Sequence, residues 1–209
     1  YDLLNRYGVD AARYFMLREV PFGNDGNFSH ESAVQKINSD LANGLGNLAQ
    51  RTLSMIHKNC DGHIPEHGEF TDDDSKLLGD AQGAMLAVMR DEFDRQRFHK
   101  GLEAVWKVVG DANAYIDVQA PWTLKKTDPA RMATVLYVLA ETIRCLALVV
   151  QPVMPDSAAK MLEQLEVGVD DRDFSCIGAD YALKPGTAIP KPEGIFPRII
   201  EEEEKLATG

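Results

Sequence analysis

D-P-A-R-M-A-T-V-L-Y-V-L-A-E-T-I-R-C-L-A-L-V-V, residues Asp128 to Val150, is the stretch on which the fold turns. Asp128 followed by Pro129 is a strong helix start: a side-chain acceptor at the cap, then a ring with the right φ and no N–H to waste. Beyond it Met132, Val135, Leu136, Val138, Leu139, Ile143, Leu146 and Val149 leave no polar face. A helix apolar on every side either crosses a membrane or lies at the centre of a protein. Glu141 and Arg144 interrupt the run at i, i+3 and can pair with each other. With apolar helices on either side in the chain, the predicted place is the middle of an all-α bundle, not a membrane. Pro152 and Pro155 bracket the break before a short fifth helix that should reach about Leu165.

Upstream, three more amphipathic helices are predicted. Ser29 caps the first, with Glu31 in its first turn. Its apolar positions Val34, Ile37, Leu41, Leu45, Leu48, Thr52 and Met55 step by three and four, and the pattern stops at Asn59-Cys60-Asp61-Gly62. Gly44 and Gly46 lie inside it, each costing about 1 kcal/mol relative to Ala, so a close neighbour is expected to compensate. Thr71-Asp72-Asp73-Asp74 opens the second helix as a capping-box variant, which runs to about Asp94. The third spans about Phe98 to Gln119, with Trp106 on its apolar face. Before the bundle, Asp2–Arg6 and Val9–Val20 read as helical pieces broken at Gly8, with Asp10 and Arg13 one turn apart. Residues 21–27 are turn chemistry. Beyond Glu166 periodicity ends. Leu183–Thr187 reads as a hairpin-like turn and P-K-P-E-G-I-F-P-R-I-I as an extended segment whose Phe196 and Ile199 should dock on the folded body. Glu201–Glu204 is a solvated acidic end.

The 209 residues carry a net charge of −11 and three cysteines. Cys60, Cys145 and Cys176 show no paired spacing, which suits a reducing, cytoplasmic setting. The chain opens on Tyr1 with no signal peptide and no initiating Met, as expected of a fragment of a longer protein. Acidity disfavours non-specific binding to nucleic acid, but it is uneven. Residues 95–131 hold seven basic against four acidic side chains, and 163–204 hold four against eleven. Any RNA contact should therefore centre on the 95–131 face. No catalytic constellation is visible: no phosphate-cradling glycine loop, no nucleophile set, no Glu-x-x-His on a helix. His57-x-x-Cys60-x-x-His63 has ligand-like spacing but lacks a fourth ligand, so no metal is expected.

Two features invite a nucleic-acid reading. Asn47 and Arg51, in L-A-N-G-L-G-N-L-A-Q-R (Leu41 to Arg51), are one helical turn apart on the flank of the apolar stripe. A bidentate amide beside a planar guanidinium suits the edge of an unstacked base. In A-P-W, Pro121 ends the third helix and leaves Trp122 beyond it as a stacking platform. Taken singly, such a pair is more often a solvated or helix-pairing face, and a Trp after a helix more often an anchor packed on the bundle.

G-L-G-N-L-A-Q-R and N-A-Y-I-D-V-Q-A-P-W resemble the two anticodon-contacting segments of bacterial methionyl-tRNA synthetases. L-L-N-R-Y-G-V-D-A-A-R-Y-F-M-L-R-E-V-P-F-G-N-D-G-N-F-S resembles the segment that follows K-M-S-K-S in that family. The resemblance implies a class I synthetase anticodon-binding bundle of about five helices. It implies a division into 1–28, the remainder of a stem-contact segment; 29–166, the bundle; and 167–209, a tail packing back on the enzyme. It implies that Trp122 stacks on the cytosine of the CAU anticodon, that Asn47 and Arg51 hydrogen-bond base edges, and that Pro121 fixes the turn presenting the Trp. H-I-G-H and K-M-S-K-S are both missing from this chain, so it should hold no cofactor. ATP with magnesium would belong to the catalytic domain, and the expected partners are the tRNA for methionine and that domain. The competing readings are a helical protein-interaction module that binds no RNA, and the anticodon domain of a sibling class I synthetase.

Overall fold

The computed structural model describes residues 2–19 and 29–200. The 21–27 turn and the Glu201–Glu204 end lie outside the described residues. Helices α1 (Asp2–Tyr7) and α2 (Val9–Glu19) lead in. Two long rods follow. The first joins α3 (His30–Ile37), a π-helical segment (Asn38–Gly46) and α4 (Asn47–Asn59). The second joins α5 (Asp72–Gly79), a shorter π segment (Asp80–Ala84) and α6 (Met85–Asp94). Then come α7 (Phe98–Gln119), α8 (Pro121–Thr127), α9 (Pro129–Val150) and α10 (Pro155–Gln164). Among the described residues there is no strand, and a single antiparallel bridge joins His63 to Ala188.

The caps form as their residues dictate. Ser29 Oγ accepts from Ser32 N at 3.0 Å, and the Asp128 carboxylate accepts from Arg131 N at 3.0 Å. Thr71 and Asp74 complete a reciprocal capping box. α9 packs against α4, α5, α7, α8 and α10. Every residue from Thr134 to Val150 is buried. The helix is thus the hydrophobic centre of the bundle: 94% of its apolar window is buried inside the protein.

Glu141 and Arg144 are fully enclosed in that centre, joined at 2.6 and 2.9 Å. The pair is made tolerable by what surrounds it. Arg144 also donates to the carbonyls of Cys176 (2.7 Å) and Ile177 (2.9 Å), while Glu141 accepts from Gln82 (2.9 Å) and Leu183 N (3.0 Å). Buried charges survive where their remaining hydrogen-bonding capacity is met. The tail is therefore knitted into the bundle at its core, and three 3₁₀ turns between Val169 and Tyr181 shape it. Farther along, Ile64 N donates to Thr187 O and Ile189 N to Gly62 O, at 2.9 and 2.8 Å. Phe196 and Ile199 are half-buried against the core, docked as expected though not enclosed.

Four features depart from the sequence reading. α8 is a helix where a terminating turn was expected. Both long rods contain π segments. Trp106 is half-buried, not enclosed, with its ring centre 4.3 Å from that of Tyr14 and tilted by 36° to it. Asp10 and Arg13 do not pair with each other. Asp10 instead accepts from Ser157 N (2.6 Å) at the start of α10, and Arg13 donates to the carbonyls of Val153 (2.9 Å) and Pro152 (2.7 Å). An anion at a helix start and a cation at exposed carbonyls is the more favourable use of both charges.

Candidate nucleic-acid interface

Asn47 is the first residue of α4 and is exposed; Arg51, one turn on, is half-buried. Leu48, Thr52 and Leu53 between and beyond them are buried, which fixes the face the pair presents. The Arg51 guanidinium lies 5.4 Å from the centre of the Trp122 ring and donates to Asp117 Oδ1 at 2.8 Å. The structure thus brings Arg51 and Trp122 together, with Asn47 on the same side one turn earlier.

Trp122 reaches this position through an unusual corner. α7 ends at Ala120, which takes the left-handed conformation (φ 44°, ψ 59°). A residue with a Cβ pays about 1–2 kcal/mol there. Pro121 follows as the first residue of α8 and is buried, and Trp122 stands in the first turn, 46% exposed. The Trp is therefore held on a short helix, not left on a loose turn, and Pro121 starts that helix instead of stopping the previous one.

A buried network braces both ends of α8. Asp74, with no exposed surface, takes two bonds from Arg131 (2.5 and 2.8 Å) and one from the Tyr115 hydroxyl (2.5 Å). Arg131 also donates to Gln119 Oε1 at 2.8 Å. Gln119 closes α7 and Arg131 opens α9, so the bridge spans the helix that carries the Trp. Burial alone would raise the Asp74 carboxyl; the bonds from Arg131, Tyr115 and Thr71 N outweigh it and hold the group down at about 2. Burial, with the Asp74 carboxylate adjacent, pushes the Tyr115 hydroxyl far up, so it stays a donor.

The basic residues divide sharply. Arg95, Arg97, Lys100, Lys107 and Arg131 pair with Asp91, Glu92, Glu103, Asp111 and Asp74. Lys125 and Lys126, in the last turn of α8, are exposed and have no ion pair among the described residues. The uncompensated positive charge of the 95–131 stretch thus lies on the Trp122 helix. Metal chemistry finds no such convergence: among the described residues no three His, Cys, Asp or Glu side chains gather, and His63 Nδ1 contacts Asp61 O at 2.7 Å. Cys60, Cys145 and Cys176 are free thiols.

Sequence reasoning missed Asp117 and the Asp74–Arg131–Gln119 bridge. Asp117 stood within the quoted N-A-Y-I-D-V-Q-A-P-W stretch, and a half-buried arginine calls for an acid. Asp74 was read only as a cap.

Fold and matched sequence define the chain's class first. Residues 1–53 match the model described as tRNA synthetases class I (M), and residues 64–207 match that described as the anticodon binding domain of methionyl tRNA ligase. Among curated relatives, the methionine–tRNA ligase of Mesorhizobium japonicum is 54% identical over 202 residues, covering 97% of this chain and 39% of the relative. That of Mycobacterium tuberculosis is 52% identical over 200 residues, covering 94% and 38%. Among solved structures, the apo form of the Mycobacterium tuberculosis methionyl-tRNA synthetase superposes with a TM-score of 0.92 at 51% identity, over 96% of this chain and 40% of that one. Its methionyl-adenylate complex gives 0.90 at 52% identity, over 94% and 39%. The chain belongs to the methionyl-tRNA ligase anticodon-binding domain family. It spans about two fifths of the length of these relatives.

Proposed function

We propose that this chain is the non-catalytic part of a cytoplasmic methionine–tRNA ligase and that the Asn47, Arg51, Pro121 and Trp122 face reads the CAU anticodon of the tRNA for methionine. The observation that carries the reading is the Arg51 guanidinium 5.4 Å over the half-exposed Trp122 ring, with Asn47 one turn away. An aromatic face gives a splayed base something to stack on, and directional donors beside it read its edge. In this reading Trp122 stacks on the cytosine, Asn47 and Arg51 bond base edges, and Pro121 sets the Trp. Lys125 and Lys126 add positive charge where the acidic chain otherwise repels phosphate. Residues 1–28 belong to a stem-contact segment, 29–166 are the anticodon-binding bundle, and 167–209 form the tail. ATP and magnesium belong to the catalytic domain that the relatives' additional length accommodates, which is the chain's other partner.

The test is aminoacylation by the intact ligase of a tRNA bearing CAU against one with the first anticodon base changed, alongside ATP–pyrophosphate exchange. Losing one stacked base costs about 1–3 kcal/mol. Trp122→Ala should therefore reduce use of the CAU tRNA by about one to two powers of ten, with exchange unchanged. Arg51→Ala should narrow the ratio between the two tRNAs, while Lys191→Ala, on the exposed tail, should not. A ratio that stays at wild type in both site variants would refute the reading. Equal loss of exchange and aminoacylation would mean that the residues act through folding.

A further inference from the structure

The π segment that precedes Asn47 is gripped at both ends by the C-terminal tail. Its first residue, Asn38, makes a two-way clamp on Ile199: Nδ2 donates to the Ile199 carbonyl and Oδ1 accepts from its N–H, both at 2.8 Å. Its last residue, Gly46, lies against Phe196. A Cβ at Gly46 would stand 3.3 Å from the Phe196 ring and 2.9 Å from the Leu41 carbonyl. The segment is held from α7 and α2 as well: Trp106 Nε1 on α7 donates to the Asp40 carbonyl at 3.2 Å, and the Tyr14 hydroxyl on α2 donates to Asp40 Oδ2 at 2.6 Å.

Long π runs are uncommon because their packing is poorer than that of the α-helix, so they persist where outside contacts favour them. Their geometry has a directional consequence. An α-helix turns about 100° per residue, and a π turn accommodates one residue more. Slipping this segment back toward α geometry by one residue would swing everything downstream by about 100°. Asn47 is the first residue downstream, and its own N–H bonds the Ala42 carbonyl in the π pattern. Arg51 follows one turn later. The register of the π segment therefore decides whether these side chains face Trp122 and Asp117 or another part of the surface.

We infer that the Phe196–Ile199 strap is a positioning element for the recognition face: by gripping Asn38 and Gly46 it holds the π register that aims Asn47 and Arg51 at Trp122. The consequence for tRNA rests on the anticodon reading above; the consequence for geometry does not. The two are separated by using two readouts on the intact ligase. The first is the Trp122 indole N–H resonance in ¹⁵N-Trp protein, assigned with Trp122→Phe, since the Arg51 guanidinium over the ring sets its shift. In Asn38→Ala and Phe196→Ala it should move toward its position in Arg51→Ala, and Phe196→Leu, which keeps an apolar plug, should leave it near wild type. The second is the ratio of aminoacylation between CAU and first-base-changed tRNA, which Asn38→Ala and Phe196→Ala should lower by about tenfold with ATP–pyrophosphate exchange unchanged. Because the strap acts through Arg51 and Asn47, that loss should be mostly absent in an Arg51→Ala background, where independent contributions would multiply.

Asn38→Ala removes only two surface-proximal hydrogen bonds, so it keeps the test readable if Phe196→Ala is poorly folded. An indole resonance unmoved in both strap variants overturns the inference, as does full multiplicativity with Arg51→Ala. A resonance that moves while no variant, Arg51→Ala included, changes the tRNA ratio upholds the positioning role and refutes the anticodon reading instead.

Discussion

Asp74→Asn should destabilise this protein in a way that disappears in acid. The carboxyl is fully buried and held down at about 2 from its usual 3.8 by Arg131, Tyr115 and the Thr71 N–H, against the upward pull of burial. Each tenfold change in proton affinity corresponds to about 1.4 kcal/mol, so ionised Asp74 contributes about 2 kcal/mol. A carboxyl depressed by folding contributes fully above its unfolded pKa, near 4, and loses that contribution as pH falls through its folded value, near 2. Asn keeps the shape and one acceptor but has no charge to lose. In urea unfolding followed by far-UV circular dichroism, the wild type should exceed the variant by about 2 kcal/mol at pH 6. About half that gap should remain at pH 3 and little at pH 2. A gap that stays constant from pH 6 to pH 2 would show that the carboxylate charge is not what holds the end of α7 to the start of α9. Because Arg131 also bonds Gln119, the variant should additionally broaden the Trp122 emission spectrum at pH 6.

Arg144→Met strands a buried Glu141 carboxylate and two tail carbonyls, so it should cost about 3–5 kcal/mol in calorimetric stability; a loss below about 1 kcal/mol would contradict the enclosed-pair description. Ala120→Gly relieves the left-handed corner between α7 and α8 and should hold or raise the melting temperature, gaining up to about 1 kcal/mol, whereas a clear drop would argue that the corner is unstrained. Gly46→Ala inserts a methyl between Phe196 and the Leu41 carbonyl, so hydrogen exchange at the Ile199 amide should accelerate severalfold; an unchanged rate would mean that the strap yields without releasing Asn38.

What was legible in the sequence was whatever depends on near neighbours. The Thr71–Asp74 box, the Ser29 cap and the Asp128-Pro129 start are local chemistry, and all three sit where their residues put them. The central place of α9 followed from its lack of a polar face. The π segments were missed because the steps of four from Ile37 to Leu41 to Leu45 also fit one face of an α-helix, so nothing local in the pattern demanded the wider turn. α8 was missed because an alanine carries no signal for the left-handed conformation that lets one helix begin where another ends. At the candidate face, the side-by-side placement of Asn47 and Arg51 was readable from i, i+4 geometry. The meeting of Arg51 with Trp122 was expected only through the family resemblance, and that of Arg51 with Asp117 was not legible at all, since both depend on how α4 and α7 lie against each other.

The knot of charge at Glu141 and Arg144 also sets an order of events during synthesis. Two of Arg144's acceptors belong to Cys176 and Ile177, and one of Glu141's donors to Leu183. While the ribosome has produced only the helices through Gln164, the middle of α9 holds an ion pair with Gln82 at hand but its partners at Cys176, Ile177 and Leu183 not yet made. Packing five neighbouring helices around it at that stage would enclose unmet polar groups, which is costly. Completion of the bundle must therefore wait for the segment from Cys176 to Leu183, and a nascent protein stalled or cleaved before Ile177 should display an open, chaperone-binding α9 in place of a finished bundle.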